Sequence, residues 1–295
     1  MQRDLLGACA AEIVGTFFLV FFGVGSVFVA VLTGALQGLF QVAIVWGIVI
    51  ALSIYATSVI SGAHFNPAVT IACWAWRSFP RKRVLPYIFS QFLGAFLAAA
   101  VLYGLFHGIM AGYELENAIV RGAAGSQKTA MLFGEYFPHP YQVGVDATAF
   151  AKVGMPTAMA AEALGTAILV FFIFALTDSE NANRPSGTSF ALFIGLTVTI
   201  LICVIAPLTQ AGFNPARDFG PRVFAWLAGW KDIAIPGPRG GFFTVYILAP
   251  VVGGMVGGAA YDHLINRFFS TRHCDSPTEC SLDDDVPGLP VNPDS

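Results

Sequence analysis

Apolar residues in this chain run in long unbroken blocks, without strand-like alternation. From Ile13 to Trp76 there is no Asp, Glu, Lys or Arg. Six blocks reach the roughly 20 residues that a bilayer-crossing helix needs: 5–32, 39–59, 84–106, 157–177, 188–208 and 242–264. Membrane-spanning barrel strands would alternate apolar and polar positions, so helices are the remaining way to satisfy the backbone in lipid. Two shorter blocks, 66–77 and 214–226, extend only about 18 Å as helix. That is about half a bilayer, and both predict re-entrant half-helices. Segment 107–156 reads as a long polar-mixed loop, and 273–295 as an acidic, proline-containing tail without fixed structure.

The blocks repeat. "AEIVGTFFLVFF" (Ala11–Phe22) and "AEALGTAILVFF" (Ala161–Phe172) agree at eight of twelve positions. Asn66-Pro67-Ala68 returns as Asn214-Pro215-Ala216, and Tyr87 and Gly94 return as Tyr246 and Gly253. The order span, span, half-helix, span therefore occurs twice, over about 5–106 and 157–268. Three spans per copy is an odd number, so the second copy starts on the opposite side. The prediction is an all-α membrane protein, six transmembrane helices plus two re-entrant half-helices in an inverted repeat. A single channel domain would cover 1–272.

Charge adds orientation. "RSFPRKR" (Arg77–Arg83) carries four basic residues and no acid, and "NRFFSTRH" follows the last span. The positive-inside rule puts both in the cytoplasm, with both termini there and loop 107–156 outside. A plasma or cell inner membrane is the expected location. Charged residues make up 11% of the chain, against about 25% in soluble proteins, and no basic patch suits nucleic acid. Cys9, Cys73 and Cys203 sit in apolar blocks. His273, Cys274 and Cys280 are too few ligands for a metal site. "LLGAC" near the start reads as the beginning of the first span, not as a lipoprotein processing site. No nucleophile–base set is apparent, and no cofactor is expected.

The repeated tripeptide has a physical reading. Pro67 and Pro215 at first helical positions lose no hydrogen bond. Asn66 and Asn214 cap with the side-chain oxygen, leaving each NH₂ as a donor. If the two half-helices meet at mid-membrane, the donors stand side by side, backed by two helix amino ends of about half a positive charge each. Ala68 and Ala216 complete the motif. Before each Asn the backbone cannot be helical, and Gly62, Ala63, His64, Gln210, Ala211 and Gly212 would present carbonyls to a wet cavity. Glu12 and Glu162 are matching intramembrane acids, either proton-relay groups or acceptors for loop N–H groups; the repeat favours the second. Arg217, where the first half has Val69, either faces the pore or pairs with Asp218. His64 either lines a vestibule or bonds locally. Trp74, Trp76 and Trp226 read as interface anchors.

These motifs resemble the aquaporin, or major intrinsic protein, family, over nearly the whole chain. The resemblance implies six tilted helices and two half-helices, one pore per subunit and a homotetramer. Asp218 after Arg217, then Arg222, Pro250, the long loop and the "GWKDIAIPGPRGG" insertion are similar to the glycerol-conducting branch. The family's constriction positions match Trp46, Ile202, Ala211 and Arg217. Bacterial facilitators have Gly and an aromatic where Ile202 and Ala211 stand, and the set here is closer to plant nodulin-like channels. The resemblance implies a slot in which Trp46 and Ile202 face the CH side of a polyol while Arg217 and carbonyls take its hydroxyls. A passive channel for glycerol and small neutral solutes, with some water, is the leading expectation. A mainly water-selective pore and a secondary transporter with inverted repeats are the alternatives.

Overall fold

The computed structural model describes residues 2–187 and 189–269. The acidic tail, with His273, Cys274 and Cys280, lies outside the described residues. Ten α-helices follow one another among those described: α1 (Gln2–Thr33), α2 (Leu39–Ser61), α3 (Pro67–Trp76), α4 (Arg81–Glu116), α5 (Gln127–Ala130), α6 (Ala147–Lys152), α7 (Met155–Thr177), α8 (Phe190–Thr209), α9 (Pro215–Ala225) and α10 (Ala249–Leu264). Short π-helical turns extend α9 to Trp230 and lead into α10 from Thr244. Among the described residues there is no strand. Six helices are long and apolar enough to cross a membrane, the last running Thr244–Phe268, and α3 and α9 are the two short ones expected. The chain is an integral, multi-pass membrane protein with the six spans and two short helices in the expected order.

Glycines set how close the helices come, and the two halves use matching ones. A Cβ on Gly94 would strike the carbonyl of Ile13, and one on Gly253 that of Ala163. Gly47 of α2 and Gly195 of α8 face each other in the same way. Without a hydrophobic drive between helices in lipid, such backbone-to-backbone packing is what holds them. A second matched pair seats the re-entrant loops. A Cβ on Gly15 would fall on the Phe65 ring, and one on Gly165 on the Phe213 ring. The "AE..GT" repeat thus provides in each half a notch for the aromatic that precedes the Asn.

Three elements differ from the expectations above. Helix α4 continues to Glu116, ten residues past the predicted end, because nothing in "GLFHGIMAGYELE" breaks a helix before Asn117. The 107–156 segment is not a surface loop throughout: residues 131–140 are buried. Trp76 is more enclosed than the other two tryptophans read as anchors. Its ring is half-buried between α3 and α10, donating Nε1–H to the Met255 carbonyl at 3.1 Å, whereas Trp74 and Trp226 are exposed.

Overpacking a tight contact costs about 1–3 kcal/mol. Gly15→Ala and Gly165→Ala should each lower the melting temperature of the purified protein in detergent. Gly104→Ala, with open space around the new methyl, should not. Equal melting of all three would contradict the notch.

Candidate pore

The half-helices meet at their amino ends through a reciprocal pair of hydrogen bonds. Asn66 Nδ2 donates to the Phe213 carbonyl at 2.8 Å, and Asn214 Nδ2 donates to the Phe65 carbonyl at 2.8 Å. Each Asn also caps its own helix, accepting from Ala68 N at 2.8 Å in α3 and from Ala216 N at 3.0 Å in α9. Pro67 and Pro215 occupy the first helical positions. The sequence predicted the caps. It did not predict that one N–H of each amide is committed to the opposite loop, so only the second remains for anything else.

The loops before the caps are built alike. Gly62, Ala63 and Phe65 have φ of 84°, 55° and 51°, and Gln210, Ala211 and Phe213 have 65°, 62° and 51°. Five of these six are not glycine, and left-handed backbone at such residues costs of order 1–3 kcal/mol each. A buried acid restrains each loop. Glu12 accepts from His64 N at 2.9 Å, Phe65 N at 2.8 Å, Ser61 Oγ at 2.7 Å and Gln91 Nε2 at 2.8 Å. Glu162 accepts from Gly212 N at 2.9 Å and Phe213 N at 2.7 Å. The Tyr87 and Tyr246 hydroxyls donate to the carbonyls of Ser61 and Thr209, where α2 and α8 end.

Beside the junction lies a cavity of about 370 Å³. Its lining stripes run the length of two helices: Leu39, Val42, Trp46, Ile50 and Ile54 on α2, and Phe190, Ile194, Val198, Ile202 and Ala206 on α8. Spacings of three and four residues keep each stripe on one helix face. Because α2 and α8 are lined almost from end to end, the cavity follows the long axis of the bundle. The six loop residues named from sequence, Gly62, Ala63, His64, Gln210, Ala211 and Gly212, all lie on its wall, as do Asn66 and Asn214. His64 does both things considered for it: it lines the cavity, and its Nδ1 is 3.1 Å from Thr70 Oγ1.

Trp46, Ile202, Ala211 and Arg217 line this one cavity together. Gly23 makes room for Trp46, since a Cβ there would come within 2.5 Å of the indole. The Arg217 guanidinium carbon sits 4.8 Å from the Trp46 ring centroid. Arg217 does not pair with Asp218. Asp218 instead takes two bonds from Arg222, at 2.8 and 2.9 Å, one turn further along α9. Arg222 also donates to the carbonyls of Ala234 and Glu135.

Sequence reasoning missed the other half of this wall. The buried segment 131–140 descends onto the second re-entrant loop. Tyr136 N donates to Gln210 Oε1 at 2.8 Å, and Glu135 N donates to Asp218 Oδ1 at 2.6 Å. This brings Glu135 Oε1 to 2.6 Å from Arg217 Nη2, and His139 onto the cavity wall. The one available hint was a lone acid among aromatics and prolines in "FGEYFPHP", a composition unlike a solvated loop.

An all-helical membrane protein with two half-helices abutting beside a lengthwise cavity is built as a transmembrane channel. The chain belongs to the Major intrinsic protein family, whose pattern it matches over residues 1–261. It is similar to the glycerol uptake facilitator protein of Escherichia coli K12, at 42% identity over 271 residues covering 92% of each chain. It is also similar to the propanediol uptake facilitator PduF of Salmonella typhimurium, at 39% identity over 276 residues, 93% of this chain and 100% of the other. The X-ray structure of the aquaglyceroporin from Plasmodium falciparum shares its fold, with a TM-score of 0.77 at 24% identity over 90% of this chain and 99% of that one.

A buried donor left without an acceptor costs about 1–3 kcal/mol. Glu12→Ala would strand two backbone N–H groups, the Ser61 hydroxyl and the Gln91 amide. Its melting temperature should fall well below that of Glu116→Ala at the exposed end of α4. A melting temperature equal to wild type would show that the loop does not depend on Glu12.

Proposed function

We propose that the protein is a passive channel for glycerol and comparable small polyols, with some water, that excludes ions. The observation that carries this reading is the chemical split of the wall at Arg217. Trp46 and Ile202 bring apolar groups to that wall, and Arg217 and the Gln210–Gly212 loop, whose carbonyls would face the lumen, bring polar ones. A polyol has the same division, with CH groups along one edge and hydroxyls along the other. Hydroxyl oxygens would accept from Arg217 and hydroxyl protons would go to carbonyls, so dehydration at the slot is compensated. The names of the similar facilitators, for glycerol and propanediol, support the same solute class.

At the junction, the remaining N–H of Asn66 and of Asn214 would donate to a passing oxygen. Two helix amino ends, each worth about half a positive charge, would oppose cations. The carbonyls of Gly62, Ala63 and His64 continue the acceptor ladder towards the other mouth. Glu12 and Glu162 support the loops and do not relay protons, because their oxygens are engaged by groups that hold the loop backbone. We further propose a homotetramer with one pore per subunit, both termini in the cytoplasm and a location in the plasma or cell inner membrane. In this arrangement, residues 1–272 are the channel domain and 273–295 a cytoplasmic tail.

Proteoliposomes carrying the protein should re-swell quickly in a glycerol gradient and not in a sucrose gradient. Fast water flux with glycerol flux at the lipid background would make this a water pore instead. Saturating glycerol flux that follows a proton or sodium gradient would make it a transporter.

Trp46→Ala should weaken discrimination among polyols that differ in length and stereochemistry, measured as the spread of their re-swelling rates. An unchanged ranking would remove Trp46 from the constriction.

A further inference from the structure

Among the buried charges around the second re-entrant loop, Glu135 is the acid that meets Arg217 directly. Asp218 and Arg222 satisfy each other through two hydrogen bonds. Glu162 is engaged by Gly212 N and Phe213 N. That leaves Arg217, 5% exposed, with Glu135 as its charge partner at 2.6 Å. The contact is an ion pair without a hydrogen bond: neither carboxylate oxygen of Glu135 has a hydrogen-bond partner among the described residues, and neither has Arg217 Nη1. A Cβ on Gly212 would meet both Glu135 Oε2 and Glu162 Oε2, so the carboxylate is wedged behind the loop with Glu162 beside it.

The first half shows what is special here. There the acid Glu12 has a neutral neighbour, the Gln91 amide, and Val69 stands where Arg217 does. In the second half Pro250 replaces Gln91 and can donate nothing. The fold adds one cation from α9 and one anion from the long loop, on one side of the pore only. Breaking such a buried pair by removing one partner leaves an uncompensated charge in place.

Resting on the channel reading above, we propose that Glu135 is the counter-ion of the constriction: it fixes where the Arg217 guanidinium points and with it sets the ion barrier and the polyol selectivity of the pore. Glu135 is a positioning residue, acting on solutes through Arg217. The constriction is then a neutral pair with its donors turned to the lumen, not a lone cation. Two consequences separate this from simple packing of the loop. Loss of Arg217 does more than open the slot, because it leaves a buried carboxylate directly behind the place the guanidinium held on the cavity wall, and that carboxylate attracts cations. Loss of the Glu135 charge releases the guanidinium towards the lumen, where it obstructs a polyol more than a water molecule.

The test uses the full-length protein in proteoliposomes, with stopped-flow glycerol and water permeability and cation flux measured on the same preparations. Size-exclusion profiles confirm folding. Arg217→Val should admit monovalent cations, and Arg217→Val with Glu135→Gln should cut that leak by roughly tenfold or more, as expected for removing a unit charge within a few ångströms of the path. Arg217→Val with Glu135→Asp, which keeps the charge, should still leak. Glu135→Gln alone should lower the ratio of glycerol to water permeability. An equal cation leak with and without the Glu135 charge would overturn the proposal, and so would a leak abolished by Asp as fully as by Gln. Should the Gln variant fail to fold, Glu135→Asp alone decides. Its carboxylate, drawn back by one methylene, should lower the glycerol-to-water ratio, and an unchanged ratio overturns the assignment. Absence of glycerol flux in the wild-type protein would instead defeat the channel reading and would be seen before any variant is compared.

Discussion

The structure depends on one pair of contacts, the asparagine amides crossing from each half-helix to the carbonyl before the other. A half-helix that stops at mid-membrane leaves its first N–H groups, and the backbone that delivers it, without helical partners. In lipid those groups have no water to fall back on. Neither half can solve this alone. Asn66 caps α3 with its oxygen and holds the second loop with its nitrogen, and Asn214 does the reverse. The result is one composite span whose centre is a pair of positive helix ends facing a cavity.

The acids, rings and glycines packed around the junction keep those two tips in register. Glu12 and Glu162 gather the N–H groups of the two loops. Gly15 and Gly165 receive the Phe65 and Phe213 rings that anchor the loops. Gly94 and Gly253 let the neighbouring helices close in behind the acids. Five non-glycine residues held at positive φ are a cost that this over-determined surrounding can carry.

Much of this was readable in the chain, for a definite reason. The fold is nearly the same unit twice, so most of the unusual residues had a counterpart: Asn66 with Asn214, Glu12 with Glu162, and Gly94 with Gly253. Bilayer thickness alone separates full spans from half-spans, which is why the two short helices were found. At the cavity wall, Arg217 was read from its place in the half-helix, while Trp46, Ile202 and Ala211 joined it as constriction positions through family resemblance; the structure brings the four to one cavity. What stayed hidden breaks the repeat. Glu135 comes from a stretch with no periodicity and no twin, and its partner lies far along the sequence. For Asp218 only its neighbour Arg217 was weighed as a partner, as the less favoured alternative, and Arg222 four residues on, which helix geometry supplies, was not named as one. Trp76 was judged by its position near a helix end, but its fate was decided by α10 packing over it.

The asymmetry introduced by the long loop is also what gives the pore a chemical character. Two identical halves would make a uniform apolar tube with a polar waist. Arg217, 2.6 Å from Glu135 and 4.8 Å from the Trp46 ring centroid, adds a cation beside an aromatic face to one part of the cavity wall. The most direct test of the whole account is an experimental density map of the protein in lipid at a resolution that shows side-chain amides. The account requires Asn66 and Asn214 to face each other at mid-bilayer, each within hydrogen-bond distance of the carbonyl before the other, near the 2.8 Å seen here. Half-helices whose starts stand apart, or which lie along the membrane surface, would contradict it.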